Sequence, residues 1–260
     1  MKNLKKIEKI ATDGYNIDFG RVFEESFENF KKIFGVAGLG MILISIVIAA
    51  IVIGGVMALS GIGDISDSLA GFNVKAFSGV TLLYFILFGI IFAMIMNILS
   101  AGFINMAHLA DNNKEFGLSN LFDYFKGIYF KDLLISSFII AAISTVGSTL
   151  IQNFSNEFLS NIFSYFISYI TFLTVPLIIF SKLDAVNAIV FSIKLVFKQP
   201  IILFLLLLVG YICAMLGFIA LCIGIFFTLP FIYSLYYCIY KNIIPVEEYS
   251  ELDEIGRTTE

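Results

Sequence analysis

The sequence predicts an all-α, polytopic membrane protein: six transmembrane helices as three repeated hairpins, with amphipathic cytoplasmic helices leading into them. Three observations carry this. Of 260 residues, 59% are hydrophobic and only 14% charged, with a mean hydropathy of +0.96, whereas soluble domains run at roughly 45–50% apolar and about 25% charged. Apolar runs reach, or nearly reach, the roughly 20 residues that cross about 30 Å of hydrocarbon six times. Fifteen of the sixteen Lys and Arg residues fall between alternate runs, and Lys75 alone falls on the other side.

Residues 1–33 read as a cytoplasmic segment. The basic stretch from Lys2 to Lys9 has no apolar core or small-residue cleavage site close behind it, so no cleaved signal peptide is expected. Phe23, Phe27, Phe30 and Phe34 recur at i, i+4, i+7 and i+11, which puts four rings on one helical face. Such a helix can lie in the membrane interface or pack beneath the bundle. The transmembrane domain, residues 34–240, holds spans at Phe34–Leu59, Phe77–Ala107, Leu133–Gln152, Phe158–Phe180, Ile201–Gly217 and Phe218–Tyr240. The last two form one apolar run, divided near Gly217 because the run is about twice a crossing length and glycine suits a tight reversal. Between spans two and three, Leu118, Leu121, Phe122 and Phe125 predict a second amphipathic helix. Residues 241–260 form an acidic cytoplasmic tail. The basic-residue asymmetry places both termini in the cytoplasm of a bacterial inner membrane.

The hairpins share short signatures. Phe30-Lys31, Phe125-Lys126 and Phe197-Lys198 each precede a hairpin, and Ser100-Ala101-Gly102, Thr174-Val175-Pro176 and Thr228-Leu229-Pro230 lie in the second span of each. Ala50, Gly54 and Ala58 in span one, and Ser137, Ala141, Ser144 and Ser148 in span three, form small-residue stripes suited to close helix packing.

Little chemistry is available. Every acid and base lies in a terminus, a loop or at a helix end, although intramembrane charges are what usually mark ion and proton pathways. Asn97, Asn105 and His108 form the candidate polar face of span two, with interhelical hydrogen bonding as the plainer reading. Gly61-Ile62-Gly63-Asp64 spells the GxGD of intramembrane aspartyl proteases, but no second membrane aspartate exists to share the acid and base roles. A single histidine, and three cysteines (Cys213, Cys222, Cys238) without a CxxC pair, give no expected metal, cofactor or catalytic residues. Without a P-loop or GxGxxG, neither nucleotide nor nucleic acid is an expected partner. Tyr233, Tyr237 and Tyr240 line one face of span six and read as interfacial tyrosines.

The Phe-Lys segments, the Thr-x-Pro spans and the ending Cys222-Ile223-Gly224-Ile225-Phe226-Phe227-Thr228-Leu229-Pro230, with Tyr233 and Tyr237 beyond it, give the chain a resemblance. It resembles six-helix bacterial inner-membrane proteins grouped near the glycerophosphodiesterase membrane domain, and is particularly similar to Bacteroidota members that carry the name beta-carotene monooxygenase. The resemblance covers nearly the whole chain but implies no activity or site residues. Carotenoid-cleaving oxygenases hold iron with four histidines, which His108 alone cannot supply. The expected function is therefore a non-enzymatic accessory or scaffold protein that contacts membrane lipids and binds another membrane protein, with Phe23, Phe27, Phe30, Phe122 and Phe125 as the candidate contact residues. The alternative is a transporter or lipid-handling protein for a neutral or lipidic substrate.

Overall fold

A computed structural model describes residues 2–60, 80–154, 156–219 and 224–244. The Gly61–Asp64 motif, Lys75, Cys222 and the acidic tail from residue 245 lie outside the described residues.

The described chain is all-helical: α1 (Lys2–Asp13), α2 (Phe19–Ser60), α3 (Val80–Asp111), a 3-10 segment (Leu118–Phe125), α4 (Phe130–Phe154), α5 (Glu157–Thr171), α6 (Thr174–Ile179), α7 (Ala185–Val196), α8 (Pro200–Met215), a 3-10 turn (Leu216–Ile219), α9 (Gly224–Thr228) and α10 (Pro230–Ile243). Five helical runs among the described residues are long and apolar enough to cross a membrane: Phe19–Gly54, Leu87–Asp111, Phe130–Gln152, Glu157–Ile179 and Pro200–Phe218. The fold is that of a multi-pass membrane protein.

The sixth expected span differs. Where the sequence predicts one helix over Phe218–Tyr240, the described residues form a short α9 and a separate α10, with Pro230 opening the latter. Proline has no N–H to continue a helix through its own position but fits a first turn. The reversal itself falls where expected. A Cβ on Gly217 would collide with Thr228 and would stand 2.6 Å from the Gly224 carbonyl carbon, so only glycine lets α8 and α9 approach there.

The leading amphipathic segments also differ from expectation and from one another. Phe23 to Phe34 sit inside α2, one 42-residue helix running unbroken through the first span. The segment from Leu118 to Phe125 is 3-10 rather than α, because the Asn120 side chain accepts from the Gly117 N–H (2.8 Å) and donates to Asp123 (2.8 Å), favouring a tight local turn. Phe197 caps the end of α7. These are three unlike settings for Phe-Lys, and no repeat is shown among the described residues.

Burial is concentrated at one end of the bundle, where Lys32, Lys114 and Lys241 cluster and which we term the basic end. Val22, Ile33 and Ala37 of α2, Phe103, Ile104 and Met106 of α3, Leu177 and Ile178 of α6 and Leu235 and Ile239 of α10 are buried there. Toward the other end apolar side chains face outward, among them Ile46 and Ile51 on α2, Ile91 on α3 and Val146 on α4. An apolar exterior suits lipid, since every helix bonds its own backbone internally.

Candidate functional site

The buried stripe of α2 is Val22, Ser26, Asn29, Ile33 and Ala37, one helix face displaced from the phenylalanines. It packs against α3 and, most extensively, against α10. Asn29 is 3% exposed, so its amide must find partners inside the protein. It donates to the Ala107 carbonyl (2.7 Å), and its oxygen accepts from the Ser234 hydroxyl (2.8 Å), joining three helices. Lys32 reaches the Ala110 carbonyl (3.1 Å) one turn further along.

A second knot closes the ends of α3 and α10. Tyr237, 1% exposed, donates to the Asp111 carboxylate (2.8 Å), whose same oxygen accepts from Lys241 (2.6 Å). His108 Nδ1 lies 3.3 Å from the Tyr237 hydroxyl, and its ring packs against Phe180 at 4.9 Å. Asn112 donates to the His108 carbonyl (2.9 Å). Burial works against the Lys241 ammonium, but the bond and charge of Asp111 outweigh it and hold the amine above its ordinary value. Tyr240 and Ser181 pair at 2.6 Å, tying α10 to the turn after α6, and Asn242 donates to Glu25 (2.8 Å).

This arrangement revises several sequence expectations. Tyr237 and Tyr240 are buried and bonded rather than interfacial, while Tyr233 stacks on Phe103 at 4.8 Å. His108 belongs to the knot, but Asn97 stands eleven residues, about 17 Å of helix, away from it. The expected polar face thus runs along α3 from Asn97 through Asn105, with His108 at its end joining the knot. Asn97 is half-buried, and its side-chain oxygen has no hydrogen-bond partner among the described residues; Asn105 is half-buried. Asn29, Asp111, Ser234 and Lys241 were not anticipated as a network. The period-3.6 stripe through Val22, Ser26, Asn29 and Ile33 is the signal that would have found the first of them.

The candidate contact residues divide by exposure. Phe23, Phe27 and Phe30 all have rings within 6.5 Å of Phe231, so the stripe leans on α10. Phe27 remains 48% exposed. In the 3-10 segment Leu121 is buried, wedged at Gly40 and against Gly102, where a Cβ would come within 2.6 Å of the Leu121 backbone. Phe122 is instead 58% exposed, with Phe125 packed at its side (6.0 Å), and Ile128 just beyond is 78% exposed.

The small-residue stripes also part company. Gly54 is exposed and has nothing among the described residues near the position of a Cβ, which corrects the expectation that it packs against another helix. In α4, Ser137 is buried, a Cβ on Gly147 would strike Phe163, and Ser148 accepts at its carbonyl from Ser160 (2.9 Å), so α4 faces α5 at the Ser148 end of that stripe.

Among the described residues no group of His, Cys, Asp and Glu could hold a metal ion. An apolar groove of about 480 Å³ opens on the exterior between α5 and α8, walled by Tyr165, Phe166 and Tyr169 opposite Ile201, Phe204 and Leu205. No protein family, curated protein or solved structure matches the chain.

Proposed function

We propose that this chain is a non-enzymatic integral membrane accessory or scaffold protein that binds another membrane protein at its basic end. One observation carries the reading. Asn29, His108, Asp111, Tyr237 and Lys241 are joined to one another or to the backbone, whereas Phe27 on α2, Phe122 in the 3-10 segment packed on α3 and Ile128 just beyond it stand exposed. Exposed aromatic and aliphatic groups set among charges suit a protein interface, where such side chains act as anchors. In this reading the chain crosses the bacterial inner membrane six times, α9 and α10 supplying the last crossing, and both termini are cytoplasmic as the basic-residue asymmetry requires. It is offered as kin to the six-helix proteins near the glycerophosphodiesterase membrane domain, on the motifs quoted above.

The test is purification in mild detergent with quantitative identification of co-purifying proteins. Phe122→Ser with Ile128→Ser should release a specific partner while the thermal melt is unchanged. A partner set identical to that of the unaltered chain would refute the interface.

The apolar groove between α5 and α8 favours a second reading, handling of a neutral or lipidic substrate. Under it, Asn97→Leu with Asn105→Leu should block substrate movement in reconstituted vesicles and spare any partner.

A further inference from the structure

Helix α1 alternates charge with apolar residues at helical spacing, and its apolar face is already used. Ile7 is 1% and Ala11 7% exposed, both in the common core. The contact is locked at its far end: Tyr15 donates to the Leu195 carbonyl (2.9 Å), Gln199 to the Tyr15 carbonyl (2.5 Å) and Lys198 to the Thr12 carbonyl (2.8 Å). Burial and the nearby Tyr169 phenol push the Tyr15 hydroxyl far above its ordinary value, so it stays a donor at any physiological pH. Docked in this way, α1 leaves Lys5 and Lys9 exposed.

The corner where α7 passes into α8 is also basic. Lys194 and Lys198 are exposed, with Phe197 57% exposed between them and Ile201 74% exposed just beyond. Lys198 uses one N–H on Thr12 and keeps two others. Lys194 lies 5.2 Å from the centre of the Phe191 ring. The acid nearest in the chain is Asp184, which caps the opposite end of α7, while Asp13 closes α1 next to the Thr12 that Lys198 contacts. Pro200 and Ile201 line the groove of about 480 Å³, and only Gln199 separates Lys198 from Pro200, a span of at most about 7 Å between Cα atoms. Positive charge and a hydrocarbon-lined channel therefore meet within one headgroup's reach.

We infer that this corner holds one anionic phospholipid, its phosphate on Lys194 and Lys198 and an acyl chain along the groove between α5 and α8. The argument is charge complementarity joined to an apolar channel. A second copy of the chain would bring the same lysines against themselves, whereas an anionic lipid matches both halves of the surface, and basic residues at a membrane surface each favour such lipids. The site does not depend on the scaffold reading, since a bound lipid is compatible with any function of the bundle.

The chain contains no tryptophan, so Phe204→Trp creates a sole indole inside the groove. Full-length protein carrying it is reconstituted in vesicles containing phosphatidylglycerol or phosphatidylcholine with brominated acyl chains, and quenching is compared with an Ile46→Trp reference on the outward face of α2, where Ile46 is 60% exposed. The indole in the groove should prefer the anionic lipid on the order of tenfold, and the reference should show no preference. Lys194→Gln, which leaves the Lys198 contact with α1 intact, should lower the preference roughly fivefold, and Lys194→Gln with Lys198→Gln should abolish it. A melting curve for each variant confirms that the fold persists. Equal quenching by the two lipids at both positions would overturn the proposal. So would absence of quenching at Phe204→Trp by either, which means that protein covers the groove, or loss of the preference on adding millimolar inorganic phosphate, which means that the corner reads phosphate without the chain.

Discussion

Asn29 is the side chain on which the basic end turns. It is nearly inaccessible and makes two interhelical bonds, so Asn29→Leu strips a partner from both the Ala107 carbonyl and the Ser234 hydroxyl. A buried polar group left unpaired costs about 1–3 kcal/mol. The Lys241–Asp111 pair is shorter but partly open to solvent, with side chains 40% and 26% exposed, and pairs of that kind are worth about 0–1 kcal/mol. Asn29→Leu should therefore lower the melting temperature in detergent clearly more than Lys241→Met. The reverse order would mean that the ion pair, not the buried amide, holds α2 to its neighbours. Tyr237→Phe should fall between them, because Asp111 keeps Lys241 when the phenol is lost.

At the scale of elements, packing decides which small residues matter. Gly54→Leu should be silent in a thermal melt, whereas Gly147→Leu should destabilise, because its side chain would meet Phe163 where α4 lies on α5. Equal effects would place the α4 and α5 contact elsewhere. Asp184 caps α7, accepting from the Asn187 N–H at 3.2 Å and from the Asn187 side-chain amide at 2.6 Å, and these bonds hold its carboxyl below the usual carboxylate value. A depressed carboxylate stabilises fully above its unfolded value, about 3.9, and the contribution fades as pH falls through the lower folded value. Asp184→Ala should cost about 1 kcal/mol at neutral pH, and the deficit should shrink below pH 4. A deficit that stays constant into acid would show that the carboxylate does not cap this helix. Both elements also mark the reach of sequence reasoning. The apolar runs were legible because length and composition alone set them, but the helix at the Phe-Lys segments was not. Helical spacing in Phe23 to Phe34 is equally consistent with a separate interfacial helix and with the first turns of a long one, and only the partner helix α10 chooses between them.

Across the whole molecule, membrane character and helical class were plain from composition, and the position of the reversal at Gly217 from the doubled run length. No repeat is shown among the described residues, because the two residues of local identity, Phe-Lys, do not specify the partner helices that decide their conformation. The polar network was hidden for the same reason: Asn29, Asp111 and Ser234 are 82 and 123 residues apart in sequence, and no local pattern announces that three helix ends meet. What the assembled molecule offers is a basic end where Asn29, Asp111, Tyr237 and Lys241 hold helices together and where Phe27, Phe122 and Ile128 stand exposed among charged residues such as Glu28, Lys31, Asp123 and Lys126. The most direct measurement replaces Phe122, in separate experiments with Ile46, by a photo-reactive phenylalanine analogue in living cells. Irradiation at Phe122 should give one discrete heavier protein adduct and at Ile46 only lipid adducts. Lipid adducts alone at both positions would contradict a partner-binding basic end.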